Sequence, residues 1–518
     1  MKKHRWQIVY LITYLLVNLL FLTQFPFVHS DEPWLSGLTR NMVESGSLSV
    51  TETFFNLHLR YPHAIKTLFH LLQMPFMAIF GYRIFSFRLI SLLFGTASLS
   101  LYYALLCKIE KNRKLALWGT VLLSLDLQFI YSAHIARPEA IILTVMLGVY
   151  ALLLSKRRHA VLLAAIVTGI SIGIHPNSFL VAVLGVSVIL TRSISQSWLI
   201  TLKELGIFTA VVGVFCTGFV LLSFSFDGDF IRHYLAYGSE FQVDATLAGK
   251  LREIVPYFQR LFYGVSGTYY TPDIRLQLLL FPLIILVGAL TVLFGGSKQL
   301  LSPIAAIAGI LAGMTLVGRF SQPYVVFFFP FAYLLLIQLL ALIPKHDRLK
   351  RSAARLSAGA IAIICLALLS FSVANIGFAL KAPSYDSYLA QIAEHVPADA
   401  KTIGNLNAEY HFENGVLLDY RNLTHIREAG LSFEDYAEKN GVEYLIISDE
   451  LQLIYELRPN WNGIYGNVNY LDELNHFLET KCTLVSHFVD NQYGVRIAGF
   501  QNTERDFNIS VYRRKPLP

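Results

Sequence analysis

Apolar residues run along this chain in long, nearly uninterrupted blocks, with the polar residues gathered between them. Blocks able to cross a hydrocarbon core of roughly 30 Å lie at residues 7–28, 86–107, 114–131, 138–155, 160–175, 177–191, 206–226, 276–294, 300–317, 322–343 and 356–379. Several are short. Pro138, Pro176 and Pro323 mark starts or breaks, because proline pushes the residue before it away from helical geometry. A twelfth apolar block covers 64–80 but carries Lys66, His70 and Gln73.

Loop charge decides how that twelfth block lies. Basic loops stay cytoplasmic, and four clusters qualify: the N-terminus, 108–114, Lys156-Arg157-Arg158 and 345–355. An even number of crossings must separate the first two, and counting 64–80 makes the number odd. The block is therefore expected to form an interfacial or re-entrant helix on the outer face. About eleven transmembrane helices remain. The first block exceeds 20 residues, which suits an uncleaved anchor with a cytoplasmic start better than a signal-peptide core.

From residue 381 the pattern becomes that of a soluble α/β unit. A helix is expected at 385–395, ended by Pro397, and another at 433–440, closed by Gly441. Strands are expected at 401–404, 416–418, 442–447, 482–488 and 508–512. The expected architecture is a mainly α-helical polytopic membrane domain over 1–380, with a first extracytoplasmic loop at 29–85. An extracytoplasmic α/β domain follows over 381–518. The tail has no G-x-G-x-x-G or P-loop, so a nucleotide site has no support.

Composition agrees with the pattern. Hydrophobic residues make up 54% and charged residues only 15%, against roughly 25% charged in soluble domains. The net charge of +7 sits in short loops, where it sets orientation; no basic face with interleaved aromatics suggests nucleic acid. Cys107, Cys216, Cys365 and Cys482 form no C-x-x-C pair and indicate neither a zinc ribbon nor a disulfide framework.

Charge then points to a site. In this topology the outer face collects Asp31, Glu32, Arg60, His63, Lys66, His134, Arg137, Glu139, His175, Asn177 and Arg319, with Asp126 in the outer end of one span. Acids beside clustered cations are what phosphate-linked chemistry needs: a base for an acceptor and donors for a leaving phosphate. Each residue also has a structural reading. Asp31-Glu32 suits a solvated interface, and Glu139 complements the dipole of the helix that Pro138 opens. Asp126 could pair with Arg137 or His134, and His175-Pro176-Asn177 could be a turn. Asp227-Gly228-Asp229 matches a short metal-binding D-x-D pattern of low specificity. Asn422-Leu423-Thr424 and Asn508-Ile509-Ser510 fit the N-glycosylation pattern.

In their order, several short segments resemble the GT-C fold glycosyltransferases, specifically the protein O-mannosyltransferase and aminoarabinose-transferase-like group (glycosyltransferase family 39). They are Asp31-Glu32 after the first span, Asn41-Met42-Val43-Glu44-Ser45-Gly46, a proline-containing segment ending in Phe80-Gly81, and Phe87-Arg88-Leu89-Ile90-Ser91. Arg137-Pro138-Glu139-Ala140 follows, then Arg319-Phe320-Ser321-Gln322-Pro323-Tyr324 with Pro330 beyond it. Together they extend over roughly the first 345 residues. Tyr61-Pro62-His63 stands where the family often has Pro-Pro, and Glu139 where Asp is common.

The resemblance implies an inverting transferase that takes a sugar from a polyprenyl-phosphate-linked donor and gives it to a glycan, lipid or protein acceptor on the outer face of the bilayer. It implies Asp31 as base, with Glu32 or Glu139 assisting. Arg137, Arg319, Lys66, His63 and Tyr324 would meet the donor phosphate, and Asp126, His134, His175 and Asn177 would line the site. A divalent metal ion is compatible with this chemistry but not demanded by it. The competing expectations are a lipid-linked sugar flippase, which would carry midplane charges and duplicated halves, and a non-catalytic membrane sensor or scaffold.

Overall fold

The structure, a computed structural model, describes residues 5–155, 157–194, 196–239, 245–264, 272–342, 350–457, 468–496 and 505–516. Lys156 and residues 345–349 of the basic clusters lie outside the described residues.

Every long apolar block becomes helical. Six described helices are long and apolar enough to cross a membrane, or seven if the bent pair Arg113–Leu125 and Leu127–His134 is one span. Glu139–Leu153, Ala160–Ser171 and Ser178–Thr191 are shorter, with 15, 12 and 14 residues. At 1.5 Å per residue they reach only about 20 Å. The first helix also stops early, at Leu19. The apolar residues after it fold back across the core, where the carbonyls of Leu22 and Pro26 accept from Arg88 Nη1 at 3.0 and 2.8 Å.

The organising element is the buried helix Ile84–Glu110. It packs on Arg5–Leu19, Arg113–Leu125, Leu127–His134 and Glu139–Leu153. Gly95 permits the closest of these approaches, since a Cβ there would lie 2.6 Å from the Ala133 side chain. The 64–80 block is a 3-10 turn, Ala64–Lys66, leading into the helix Thr67–Phe80. It packs against Asp31–Ser45 and Ile84–Glu110, is shorter than the span-length helices, and its Leu68 N–H donates to Gly173 O at 2.9 Å.

The tail folds around a five-stranded sheet of order β2-β1-β3-β5-β4. Its strands are β1 (Thr402–Gly404), β2 (Leu417–Asp419), β3 (Tyr444–Ser448), β4 (Cys482–Val489) and β5 (Asn508–Arg514). β1 pairs in parallel with β2 and β3, while β5 runs antiparallel to β3 and β4. The first loop is seated on the carboxyl end of β2. Asp419 N–H donates to Phe54 O at 3.1 Å, and Asn422 Nδ2 donates to the same oxygen at 2.8 Å. Asn422 Oδ1 accepts from the amides of Asn56 and Leu57 at 2.8 and 3.0 Å. Asn422 is fully buried, so this sequon is a docking residue with no free amide to glycosylate.

A second seam joins the tail to the Asp31–Ser45 helix. Ser36 and Tyr410 hydroxyls meet at 2.8 Å, and Arg40 Nη1 donates to Phe412 O at 2.7 Å. Burial pushes the nearby Glu409 carboxyl up to about 8, with Arg40, 3.9 Å away, opposing it. A carboxyl raised in the folded state contributes stability fully below its unfolded value and loses it as pH climbs through the folded one. Glu409→Gln is therefore expected to raise the thermal midpoint of the purified protein at pH 8.5 and to leave it nearly unchanged at pH 4.5. An equal difference at both pH values would contradict this.

Candidate active site

Asp31 and Glu32 open the helix Asp31–Ser45. Carboxylates in a first turn are favoured by the helix dipole, yet the two neighbours face different surroundings. Glu32 is wholly buried and forms a two-pronged ion pair with Arg88, whose Nε donates to Oε2 at 2.8 Å and Nη2 to Oε1 at 2.7 Å. The amides of His29 and Ala136 complete its shell at 3.0 and 2.7 Å. The sequence expectation that Glu32 assists the chemistry meets a carboxylate with both oxygens committed to structure.

Asp31 points the other way. Its Oδ2 accepts from Arg137 Nη1, and its own amide donates to His29 Nδ1 at 3.1 Å. Arg137 turns its remaining edge to Glu139, with Nη2 at 2.9 Å and Nε at 3.2 Å from the carboxylate oxygens. One guanidinium thus bridges two acids from different helices. The side chain of Asp31 is 18% exposed, whereas Glu139 and Glu32 are 0% exposed. Of the three acids, Asp31 alone meets the outside. Arg137, expected at a donor phosphate, is instead engaged by carboxylates.

The other cations gather one layer away. Lys66, at the end of the 3-10 turn, is lowered by burial and then by Arg60 and Arg319, with Tyr237 and Glu52 opposing. His175, between two short helices, is acted on electrostatically by Lys66, Arg137 and Arg319. It therefore lies within electrostatic reach of both the Asp31–Arg137–Glu139 group and the Lys66–Arg319 group. His63 is brought to about 3 by burial and by Lys66 and Arg60. Its imidazole is neutral and can only donate or accept a hydrogen bond. Asn177 is buried, and its Nδ2 has no hydrogen-bond partner among the described residues. Tyr324, at the Arg319 turn, is buried and within reach of Tyr234 and Tyr257.

Several members escaped sequence reasoning. Glu52 accepts from Trp34 Nε1 at 2.6 Å and pairs with Arg60 Nε at 3.5 Å. Burial favours its neutral form, but Arg60, the hydrogen bonds and Lys66 outweigh burial and hold it at about 2. Tyr237, on the helix Phe230–Ser239, has the Arg60 guanidinium 4.2 Å from its ring centre. Burial would raise this phenol, yet Arg60, Lys66, Arg319 and Arg421 together lower it. Leu59, Arg60, Tyr61, His63, Asp227, Phe230, His233, Tyr234, Ala236 and Tyr237 line a cleft of about 220 Å³. Arg60 and Lys66, flanking Tyr61-Pro62-His63 in one loop, were the local signal.

Three expectations are corrected by their partners. Asp126 pairs with neither Arg137 nor His134: it caps the Leu127–His134 helix and accepts from Gln277 Nε2 at 2.8 Å and Tyr333 OH at 2.6 Å. His134 bonds Phe25 O at 3.0 Å and Asn18 Oδ1 at 2.9 Å, so it braces the first helix. Asp227 faces His233 Nδ1 at 2.6 Å, while Asp229 pairs with Arg232 at 2.6 Å. The D-x-D acids diverge. Among the described residues no three His, Cys, Asp or Glu side chains are grouped to hold a metal ion.

Comparison with known proteins bears on the fold. Residues 57–232 match the family model of dolichyl-phosphate-mannose-protein mannosyltransferases, a stretch that includes Lys66, Arg88, Arg137, Glu139 and His175. Among solved structures, ArnT from Cupriavidus metallidurans bound to undecaprenyl phosphate superposes with a TM-score of 0.58 at 14% identity, covering 98% of each chain. The archaeal oligosaccharyltransferase AglB from Archaeoglobus fulgidus, in complex with an inhibitory peptide and a dolichol-phosphate, gives 0.56 at 12% identity, covering 95% of this chain and 74% of AglB. A sequence search of curated proteins finds no match. The likeness is one of fold: the chain shares the architecture of ArnT and AglB.

Proposed function

We propose that this GT-C-fold membrane protein moves a sugar from a polyprenyl-phosphate donor to a hydroxyl acceptor on the non-cytoplasmic face. The observation that carries the reading is Asp31: the one partly exposed acid of three, tethered by Arg137, which together with Lys66 and Arg319 acts on His175. The family match and the lipid phosphates bound by ArnT and AglB support a lipid-linked donor. In our reading the chain crosses the bilayer eleven times, its N-terminus is cytoplasmic, and residues 381–518 form an extracytoplasmic domain, as loop charge argues.

The reaction is a single displacement. Asp31 accepts the proton of the acceptor hydroxyl as that oxygen bonds the anomeric carbon. The bond from that carbon to the phosphate oxygen breaks on the opposite face, inverting the centre, and the electron pair leaves with the lipid phosphate. Lys66 and Arg319 stabilise that charge, with His63 and Tyr324 as neutral hydrogen-bonding groups. Arg137 and Glu139 fix the direction of the Asp31 carboxylate. Glu32, through Arg88, anchors the helix that carries it. No step is routed through a metal.

Lys66→Ala tests the phosphate assignment. Loss of a charge-assisted contact of about 1.5–3 kcal/mol should weaken undecaprenyl phosphate binding by roughly ten- to a hundredfold, read by fluorescence titration of purified protein. An unchanged dissociation constant would remove Lys66 from the donor site.

A further inference from the structure

The tail supplies a side chain to the outer-face cluster. Arg421 is buried, with its guanidinium carbon 4.0 Å from the centre of the Trp34 ring and 5.6 Å from that of Phe55. Planar stacking of this kind is a property of arginine that lysine does not reproduce. Trp34 lies one turn or less beyond Asp31 on the same helix. Its indole is fixed at the far edge by the 2.6 Å bond to Glu52, and Arg60 lies 5.2 Å from the ring centre.

Arg421 itself has little freedom. It follows β2, its amide donates to Asp419 Oδ1 at 2.9 Å, and the next residue, Asn422, is bonded to the first loop at Phe54, Asn56 and Leu57. Resting on the transferase reading, we infer that Arg421 is a positioning residue: it pins Trp34 and so holds the first turn that presents Asp31. The tail is then part of the active centre rather than an independent binding module.

The test compares wild type, Arg421→Lys and Trp34→Phe as full-length protein, using transfer from a polyprenyl-phosphate sugar and binding of undecaprenyl phosphate. Arg421→Lys retains the charge and loses the stacked plane. The turnover number should fall about ten- to a hundredfold, the cost of a small misplacement of a reacting group. The donor KM and the stoichiometry of undecaprenyl phosphate binding should not change. Stoichiometry counts folded protein, so a merely structural role would lower it and spare the turnover per binding site. Wild-type turnover per site in Arg421→Lys overturns the positioning role alone. If Arg421→Lys does not fold, Trp34→Phe decides, with a lowered turnover supporting the role and an unchanged one overturning it. Absence of transfer by wild type overturns the transferase reading and this role with it.

Discussion

Asp31→Asn is expected to stop sugar transfer while the protein still folds, inserts and binds undecaprenyl phosphate. Asparagine keeps the shape of the side chain and can still accept from Arg137 Nη1 through its amide oxygen. It cannot take a proton. A positioned general base contributes about 10²–10⁴-fold to a rate, and the loss should appear in turnover rather than in donor affinity. The neighbouring acids cannot substitute: Glu32 and Glu139 are 0% exposed and already paired with Arg88 and Arg137. Retention of full activity by Asp31→Asn would remove Asp31 as the base.

The second large effect is on stability. Arg88→Met should destabilise the protein by about 3–5 kcal/mol, the range for removing one partner of a buried ion pair. It would leave the Glu32 carboxylate uncompensated and two backbone carbonyls, of Leu22 and Pro26, without their donor. Combining it with Glu32→Gln should recover much of that loss, because the buried charge is then gone. Thermal unfolding of single and double variants in nanodiscs measures both. An additive double variant would show that the pair is not coupled. A Glu32→Gln protein of native stability but lowered turnover would return Glu32 to the chemistry.

Apolar blocks are a local signal, and each of them holds a helix in the structure. The five expected strands agree with β1 to β5 to within about two residues at each end, because their apolar runs are bounded by polar residues and turns. The helices Glu450–Leu457 and Leu471–Lys481 were not anticipated; both carry mixed polar faces and short apolar stripes. The first block overshot because Leu22 and Pro26 give their carbonyls to Arg88 instead of to a continuing helix.

Within the site, residue type was legible, but pairing was not. Asp31, Arg137 and Glu139 do come together. Asp126 was expected to find Arg137 or His134 nearby, but its partners are Gln277 and Tyr333, 151 and 207 residues on. Arg88 stood in a motif without a role, since nothing local connects it to Glu32 across 56 residues. Arg421 was invisible for the same reason: only packing of the tail on the first loop brings it over Trp34. Periodicity reports which face is buried, while the choice of polar partner belongs to tertiary packing.

The central claim is that this chain transfers a sugar from lipid phosphate through Asp31. The most direct measurement is a mass-spectrometric comparison of lipid-linked saccharides and envelope glycans in cells with the protein, without it, and with Asp31→Asn. The predicted result is one glycan lacking a sugar, and its polyprenyl-phosphate donor accumulating, in both the deletion and the Asp31→Asn cells. Identical profiles in all three would contradict the account.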